Sequence, residues 1–117
     1  MDESILTTIK QMLGITEDDE SFDPVIIGNI NTVLADLNGL GAGPSEGFLI
    51  KDDRAKWYDF TQGNPKLANI VTYVYMRVKL MFDPPQSSAV ITSFERQIKE
   101  FEWRINSTVE FNSDSEV

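Results

Sequence analysis

The sequence predicts an all-α protein: a small bundle of four to five helices with a long turn-rich connection and a flexible acidic C-terminal tail. Three observations support this prediction. Apolar residues recur at steps of three and four along most of the chain, glycine and proline stand where these runs stop, and 117 residues suffice for one domain with one core. We expect this single helical domain to span residues 1–107 and the tail to span residues 108–117.

The first helix is predicted from about Glu3 to Leu13, with Asp2 as a candidate N-cap and Gly14 placed to end it in a left-handed turn. The stretch that follows, residues 16–23, contains five acids and no base. It lacks the central glycine and the distal glutamate of a calcium-binding loop. A solvated acidic loop is therefore expected there, and no metal site.

A second helix is predicted to begin at Asp23-Pro24, where a capping side chain precedes a proline in the first turn, and to end at Gly39. Gly28 inside this helix costs up to about 1 kcal/mol relative to alanine. A close helix crossing at Gly28 would explain why glycine is present. The predicted buried stripe comprises Ile26, Ile30, Val33 and Leu37, with Ile27 and Leu34 beside it.

Between residues 39 and 59 the helical period disappears, and four glycines and one proline occur within nine residues. Phe48 and Ile50 alternate with polar residues, so a short extended piece or a small hairpin is possible in this connection. Trp57 and the neighbouring aromatic residues give it apolar bulk. They either seal the core or anchor a neighbouring subunit, and the sequence leaves both alternatives open.

The central helix is predicted from Pro65 to Phe82, with Asn64 as its N-cap. The prolines of Asp83-Pro84-Pro85 cannot continue a helical hydrogen-bond ladder, so they end it. Its apolar side chains cover so much of its circumference that other elements must surround it.

The last helix is predicted from about Ala89 to Ser107, with Ser87 or Ser88 as its cap. Trp103 falls outside its apolar stripe, which indicates an exposed tryptophan available for contact. In the tail, Val109 and Phe111 alternate with polar residues, so this segment can become ordered against a partner. The stripe itself comprises Ile91, Phe94, Ile98, Phe101 and Ile105.

The charge balance is 19 acids against 10 bases, a net charge of −9. Because DNA is a dense line of negative charge, this balance disfavours nucleic-acid binding as the main function. It suits a surface that meets a basic partner, or one past which DNA slides without sticking. The sequence contains no run of about 18 apolar residues, so no membrane span is predicted. The acidic, amphipathic N-terminus does not fit a signal peptide.

The sequence contains no histidine and no cysteine, which excludes catalytic triads, thiol nucleophiles and most zinc and haem sites. The segment GLGAGPSEG lacks the Gly-Lys-Ser/Thr ending of a phosphate-binding loop. An enzyme using carboxylates alone would depend on pairs such as Asp52 and Asp53, but adjacent side chains point apart. We therefore predict no enzyme, no catalytic, cofactor-binding or metal-ligating residue, and no cofactor.

Several segments resemble one family. The order LNGLGAGPSEGFLI, the aromatic pair Trp57 and Phe60, NIVTYVYMRVKLMFDPPQSSAV and FEWRIN is similar to the head–tail connector (head-completion, or adaptor) proteins of long-tailed phages and prophages of low-GC Gram-positive bacteria. The resemblance covers nearly the whole chain. Its most specific parts are YVYMRVKLMFDPP, from Tyr73 to Pro85, and Glu102-Trp103-Arg104.

The resemblance implies a structural virion component that forms a homo-oligomeric ring, twelvefold when assembled, below the portal protein. It also implies a DNA channel that DNA crosses without sequence-specific binding, a docking surface for a downstream stopper or tail-completion protein, and a place in the virion neck after synthesis in the bacterial cytoplasm. The alternative is a small acidic interaction module, a regulator or DNA mimic. Candidate subunit or partner contacts are Phe48, Ile50, Trp57, Trp103, Val109 and Phe111.

Overall fold

The computed structural model describes the backbone of residues 3–115 and the side chains of residues 3–106. Five α-helices and one 3-10 turn follow one another, and no strand occurs within residues 3–115. The all-α prediction is confirmed. The elements are α1 (Ile5–Met12), α2 (Asp23–Gly39), α3 (Trp57–Thr61), the 3-10 turn (Pro65–Leu67), α4 (Ile70–Phe82) and α5 (Ser88–Ser115).

Helix α1 begins with a cap that the sequence analysis did not select. The Ser4 hydroxyl accepts a hydrogen bond from the backbone N–H of Thr7 at 3.2 Å, whereas the predicted cap, Asp2, lies outside the described residues. Gly14 adopts a φ of +82° directly after the helix, in the left-handed region predicted for it. An isolated antiparallel bridge joins Ser4 to Lys56, which ties the start of α1 to the start of α3.

Helix α2 begins at Asp23, as predicted, but Asp23 does not cap it. The residue in the N-cap position is Phe22, which makes no side-chain cap. The Asp23 carboxylate instead reaches α1, where its Oδ1 lies 2.9 Å from Nζ of Lys10. The Lys10 side chain is only 3% exposed, and its ammonium also donates to the Glu17 carbonyl at 3.0 Å. A buried cation needs an anion beside it, which explains why this carboxylate is not available as a cap.

Gly28 lies on the solvent side of α2, so the predicted close helix crossing is wrong. A Cβ added at Gly28 would have no atom within 4 Å. The buried stripe lies on the opposite side of the helix and comprises Ile26, Ile30, Val33, Leu34 and Leu37.

Replacing Gly28 by alanine is therefore expected to raise the free energy of unfolding by about 1 kcal/mol, because alanine restricts the unfolded chain and meets no obstacle in the helix. Chemical denaturation measures this change. Gly14→Ala is the contrasting variant: Gly14 is equally uncrowded but has a positive φ, so alanine there is expected to destabilise the protein. A loss of stability in Gly28→Ala would contradict the exposed position of this residue.

Two asparagines of α2 hold the long connection in place. The Asn31 amide donates to the Ile50 carbonyl at 2.9 Å and accepts from the Ile50 N–H at 2.8 Å. Two turns later, the Asn38 amide donates to the carbonyls of Ala42 and Pro44, at 2.7 and 3.2 Å. The connection is thus irregular and ordered, and the hairpin alternative does not occur in it.

Helix α4 occupies the centre of the bundle, as predicted, because it packs against α1, α2 and α5. Its start differs from the prediction. Asn64 does cap a turn, by accepting from the Lys66 N–H at 3.0 Å, but this is the 3-10 turn. The chain then leaves helical geometry, Asn69 adopts a φ of +72°, and α4 begins at Ile70.

Helix α5 begins as predicted, with the Ser87 hydroxyl accepting from the Val90 N–H at 3.3 Å. Ile98, Phe101 and Ile105 are buried, which confirms the predicted stripe in this half of the helix. The helical backbone continues past the predicted end at Ser107 to Ser115, since no proline or glycine follows to stop it. The division into a domain and a flexible tail at residue 107 stays a prediction. Within residues 3–115, no helix is both long and apolar enough to cross a membrane.

Candidate functional site

A polar cluster joins α2, α4 and α5; we call Asp36, Tyr73, Arg77 and Glu102 the Arg77 cluster. The Arg77 guanidinium donates to Asp36 at 2.6 Å and to the Tyr73 hydroxyl at 2.8 Å, and it lies 3.5 Å from Glu102. The Tyr73 hydroxyl in turn donates to Glu102 at 2.6 Å. One arginine side chain therefore links three helices, in the fork geometry that suits a guanidinium.

Two groups of the Arg77 cluster, Tyr73 and Arg77, keep their protons near neutral pH. Burial, reinforced by the hydrogen bond to Glu102, raises the pKa of Tyr73 above its ordinary value. Burial by itself would lower the pKa of Arg77, but its hydrogen bonds to Asp36 and Tyr73 and the negative charge of Asp36 outweigh burial and raise that pKa. Tyr73 thus stays protonated and Arg77 stays charged. The Tyr73 ring also stacks on Phe101, with centroids 4.6 Å apart, so the cluster fixes α5 against α4.

The solvent side of α5 carries the most exposed aromatic side chain among residues 3–106. Trp103 is 69% exposed. Arg96 and Lys99 beside it are exposed and form no ion pair with another described residue, while Arg104 lies over the Phe101 ring at 5.5 Å. We call this surface the outer face of α5. It comprises Thr92, Glu95, Arg96, Lys99, Glu100, Trp103 and Arg104.

Three predicted contact residues lie in or against the core. Ile50 is 3% exposed and Trp57 is 8% exposed, and the Trp57 indole donates to the Thr8 hydroxyl at 3.2 Å. Phe48 is partly buried and packs edge-to-face on Phe60, with centroids 5.4 Å apart. Of the two alternatives for the connection, these side chains fill the core-sealing role. Their contact with a neighbouring subunit stays a prediction.

The remaining predicted contacts all belong to α5. Trp103 is exposed, as its place outside the apolar stripe indicates. Val109 and Phe111 lie on the helical backbone of α5, and their side chains fall outside the described residues. The structure therefore leaves Trp103 as the one predicted contact residue whose described side chain is freely accessible, and its role in contact stays a prediction.

Sequence reasoning missed two features. The Arg77 cluster was signalled only by a lone arginine inside an apolar helix. The second feature is an exposed apolar pair at the start of α2, where Phe22 is 45% and Val25 55% exposed. Phe22 packs edge-to-face against Phe82, with centroids 5.4 Å apart. The sequence feature that could have predicted this exposed pair is a large apolar residue, Phe22, just before the Asp-Pro helix start.

Among the described residues, no group of three or more acids could hold a metal ion, and no histidine or cysteine exists to add to one. The prominent features are instead two surfaces, the outer face of α5 and the acidic loop between α1 and α2. Both lie on a packed helical core. This arrangement defines a small all-helical protein with an exposed aromatic residue on its last helix.

The chain belongs to the phage connector protein family, whose model matches residues 5–112. This match covers α1 to α4 and most of α5, and it confirms the resemblance to phage head–tail connectors found in the sequence. Family membership gives the protein a structural role at the head–tail connection, in the neck of the virion. No curated protein and no solved structure matches the chain.

Proposed function

We propose that this protein forms a ring on the portal protein, extends the DNA channel below it and provides the docking surface for a downstream stopper or tail-completion protein. The observation that supports this proposal most strongly is the family match, which runs through residues 5–112. We assign it no catalytic activity and no cofactor. Synthesis in the host cytoplasm precedes its incorporation into the virion.

The shape of the protein supports a ring. Its extents are 51 × 35 × 23 Å, and α5, with 28 residues, runs for about 42 Å at 1.5 Å per residue. Helices locked by the Arg77 cluster and a continuous apolar core give a stiff, elongated body. Such a body can join its neighbours through two different surfaces, and a contact of this kind generates a ring when its rotation closes.

The charge of the protein suits a channel for DNA. With 19 acids against 10 bases, the subunit repels a phosphate backbone more than it attracts one. A channel wall made from such subunits lets DNA pass without forming the many lysine and arginine contacts to phosphates that would retain it.

Imaging of assembled heads tests the proposal. Purified protein is added to DNA-filled, portal-bearing heads that lack it, and the particles are examined by electron cryomicroscopy. We expect a ring of added density at the portal vertex, and the portal-free vertices of the same heads serve as the internal control. Unchanged portal vertices, or density distributed equally over all vertices, would rule the proposal out.

A further inference from the structure

Two surfaces of the monomer differ in the sign of their net charge. The outer face of α5 holds three bases against two acids, Glu95 and Glu100, whereas residues 15–22 hold four acids and no base. On the outer face of α5, Arg96 and Lys99 are exposed without an ion-pair partner among the described residues. Residues 15–22, which we call the acidic loop, join α1 to α2. There the carboxylates of Glu17, Asp18 and Glu20 are exposed and likewise form no ion pair within the described part of the chain. In a chain with a net charge of −9, three bases, Arg96, Lys99 and Arg104, nevertheless lie together on this one face.

Each surface also has an exposed apolar component. Trp103 stands next to the bases of α5 and is 69% exposed, while Phe22, the last residue of the acidic loop, and Val25 just beyond it are 45% and 55% exposed. Protein interfaces commonly combine a large aromatic anchor with a surrounding polar rim. Both surfaces have this composition, with opposite charge in the rim.

The two surfaces lie at different ends of α4. Helices α4 and α5 run antiparallel, since Tyr75 pairs with Phe94 and Tyr73 with Phe101. Trp103 therefore lies near the first turn of α4. Phe22 packs on Phe82, the last residue of α4. Nine residues separate Tyr73 from Phe82, about 14 Å along the helix axis at 1.5 Å per residue.

We propose that the outer face of α5 on one copy binds the acidic loop, with Phe22 and Val25, on the next copy of this chain. The proposal rests on the ring function proposed above and names the surfaces that would form it. Because the two surfaces differ and are set apart along the body, the contact runs head to tail. Such a contact leaves one surface of each kind open until a ring closes.

Charge exchange between the two surfaces provides a direct test. The face variant, Arg96→Glu with Lys99→Glu, has two acidic surfaces, and the loop variant, in which Glu17, Asp18 and Glu20 are all replaced by lysine, has two basic ones. Like charges placed across an interface oppose association. Each variant alone is therefore expected to occupy the portal vertices of DNA-filled heads at least roughly tenfold less than the unaltered protein.

An equal mixture of the two variants is expected to restore occupancy. Each face variant then meets a loop variant on both sides, so opposite charges face each other at every contact. This alternation closes in any ring with an even number of copies, including a twelvefold ring. Recovery by mixing distinguishes paired surfaces from two surfaces that are each needed for some other reason.

Controls separate this proposal from the one on which it rests. Arg54→Glu with Lys66→Glu makes the same change in net charge as the face variant, at exposed positions outside both surfaces, and it is expected to bind like the unaltered protein. Absence of the unaltered protein from portal vertices would refute the ring function itself. If the unaltered protein binds but mixing restores nothing, or either variant alone binds normally, the proposed pairing is wrong.

Discussion

Replacing Gly43 by alanine is expected to lower the free energy of unfolding by about 3 kcal/mol, since two costs add. Gly43 has a φ of +80°, where a Cβ strains the backbone. That Cβ would also lie 2.5 Å from two ring carbons of Phe60 and 3.0 Å from the Asn38 amide. Phe60 is fully buried and held by Phe48, so its ring cannot move aside at low cost. Chemical or thermal denaturation measures the loss.

Gly47→Ala is the matched control for this prediction. Gly47 belongs to the same connection and has a φ of +96°, yet an added Cβ there meets nothing within 4 Å. Gly47→Ala is therefore expected to lower the free energy of unfolding only by the cost of backbone strain, about 1 kcal/mol. Equal losses at Gly43 and Gly47 would show that contact with Phe60 contributes nothing. In a Phe60→Leu background, the extra cost at Gly43 should shrink, because contacting residues are not additive.

Replacing Arg77 by methionine is expected to lower the free energy of unfolding by about 2 kcal/mol and to loosen α5. The change keeps an unbranched apolar stem but removes the guanidinium, which leaves the carboxylates of Asp36 and Glu102 without their shared cation. Loss of one partner from a fully buried ion pair costs about 3–5 kcal/mol. The value here is smaller because Asp36 is 52% exposed, so water screens part of the interaction. Denaturation gives the free energy, and hydrogen exchange of the α5 amides reports the loosening.

Arg54→Met is the control for the loss of one positive charge. Arg54 is 89% exposed and lies 3.9 Å from Asp52, so its removal is expected to change the free energy of unfolding by less than about 0.5 kcal/mol. If the two variants changed the free energy of unfolding by the same amount, within about 0.5 kcal/mol, the Arg77 cluster would not hold α5. A loss confined to the Arg77 variant, with faster exchange in α5, would support the role of the cluster in positioning the outer face.

These predictions concern residues whose importance was not readable in the sequence. Gly43 is one of several glycines in the connection, and only the approach of Phe60, seventeen positions later, makes it irreplaceable. Asn31 and Asn38 resemble ordinary solvent-exposed residues of α2. Their partners are backbone groups of the connection, and no local pattern predicts which side chain a loop without periodicity will meet.

Local sequence signals also gave wrong predictions where the same residues are compatible with two conformations. Asn64-Pro65 starts a 3-10 turn as readily as an α-helix, because both turns need the same cap and tolerate the same proline. Asp23 is of a residue type that commonly caps helices, yet its carboxylate forms a long-range ion pair with Lys10 instead. Trp103 is exposed, as its place outside the apolar stripe predicted, whereas only packing showed that Trp57 is buried.

By itself, the sequence determined the helical class, the central position of α4, the buried stripes of α2 and α5, the ends imposed by Gly14 and Pro84, and the resemblance to phage connectors. These features depend on periodicity, turn residues and local motifs, which are written within a few residues of where they act. The tertiary structure alone decided that the aromatic residues Phe48 and Trp57 pack in or against the core, how Arg77 links three helices, and where the acidic loop lies relative to the outer face of α5. Those outcomes depend on contacts between residues far apart in the chain, which are set when the helices pack together.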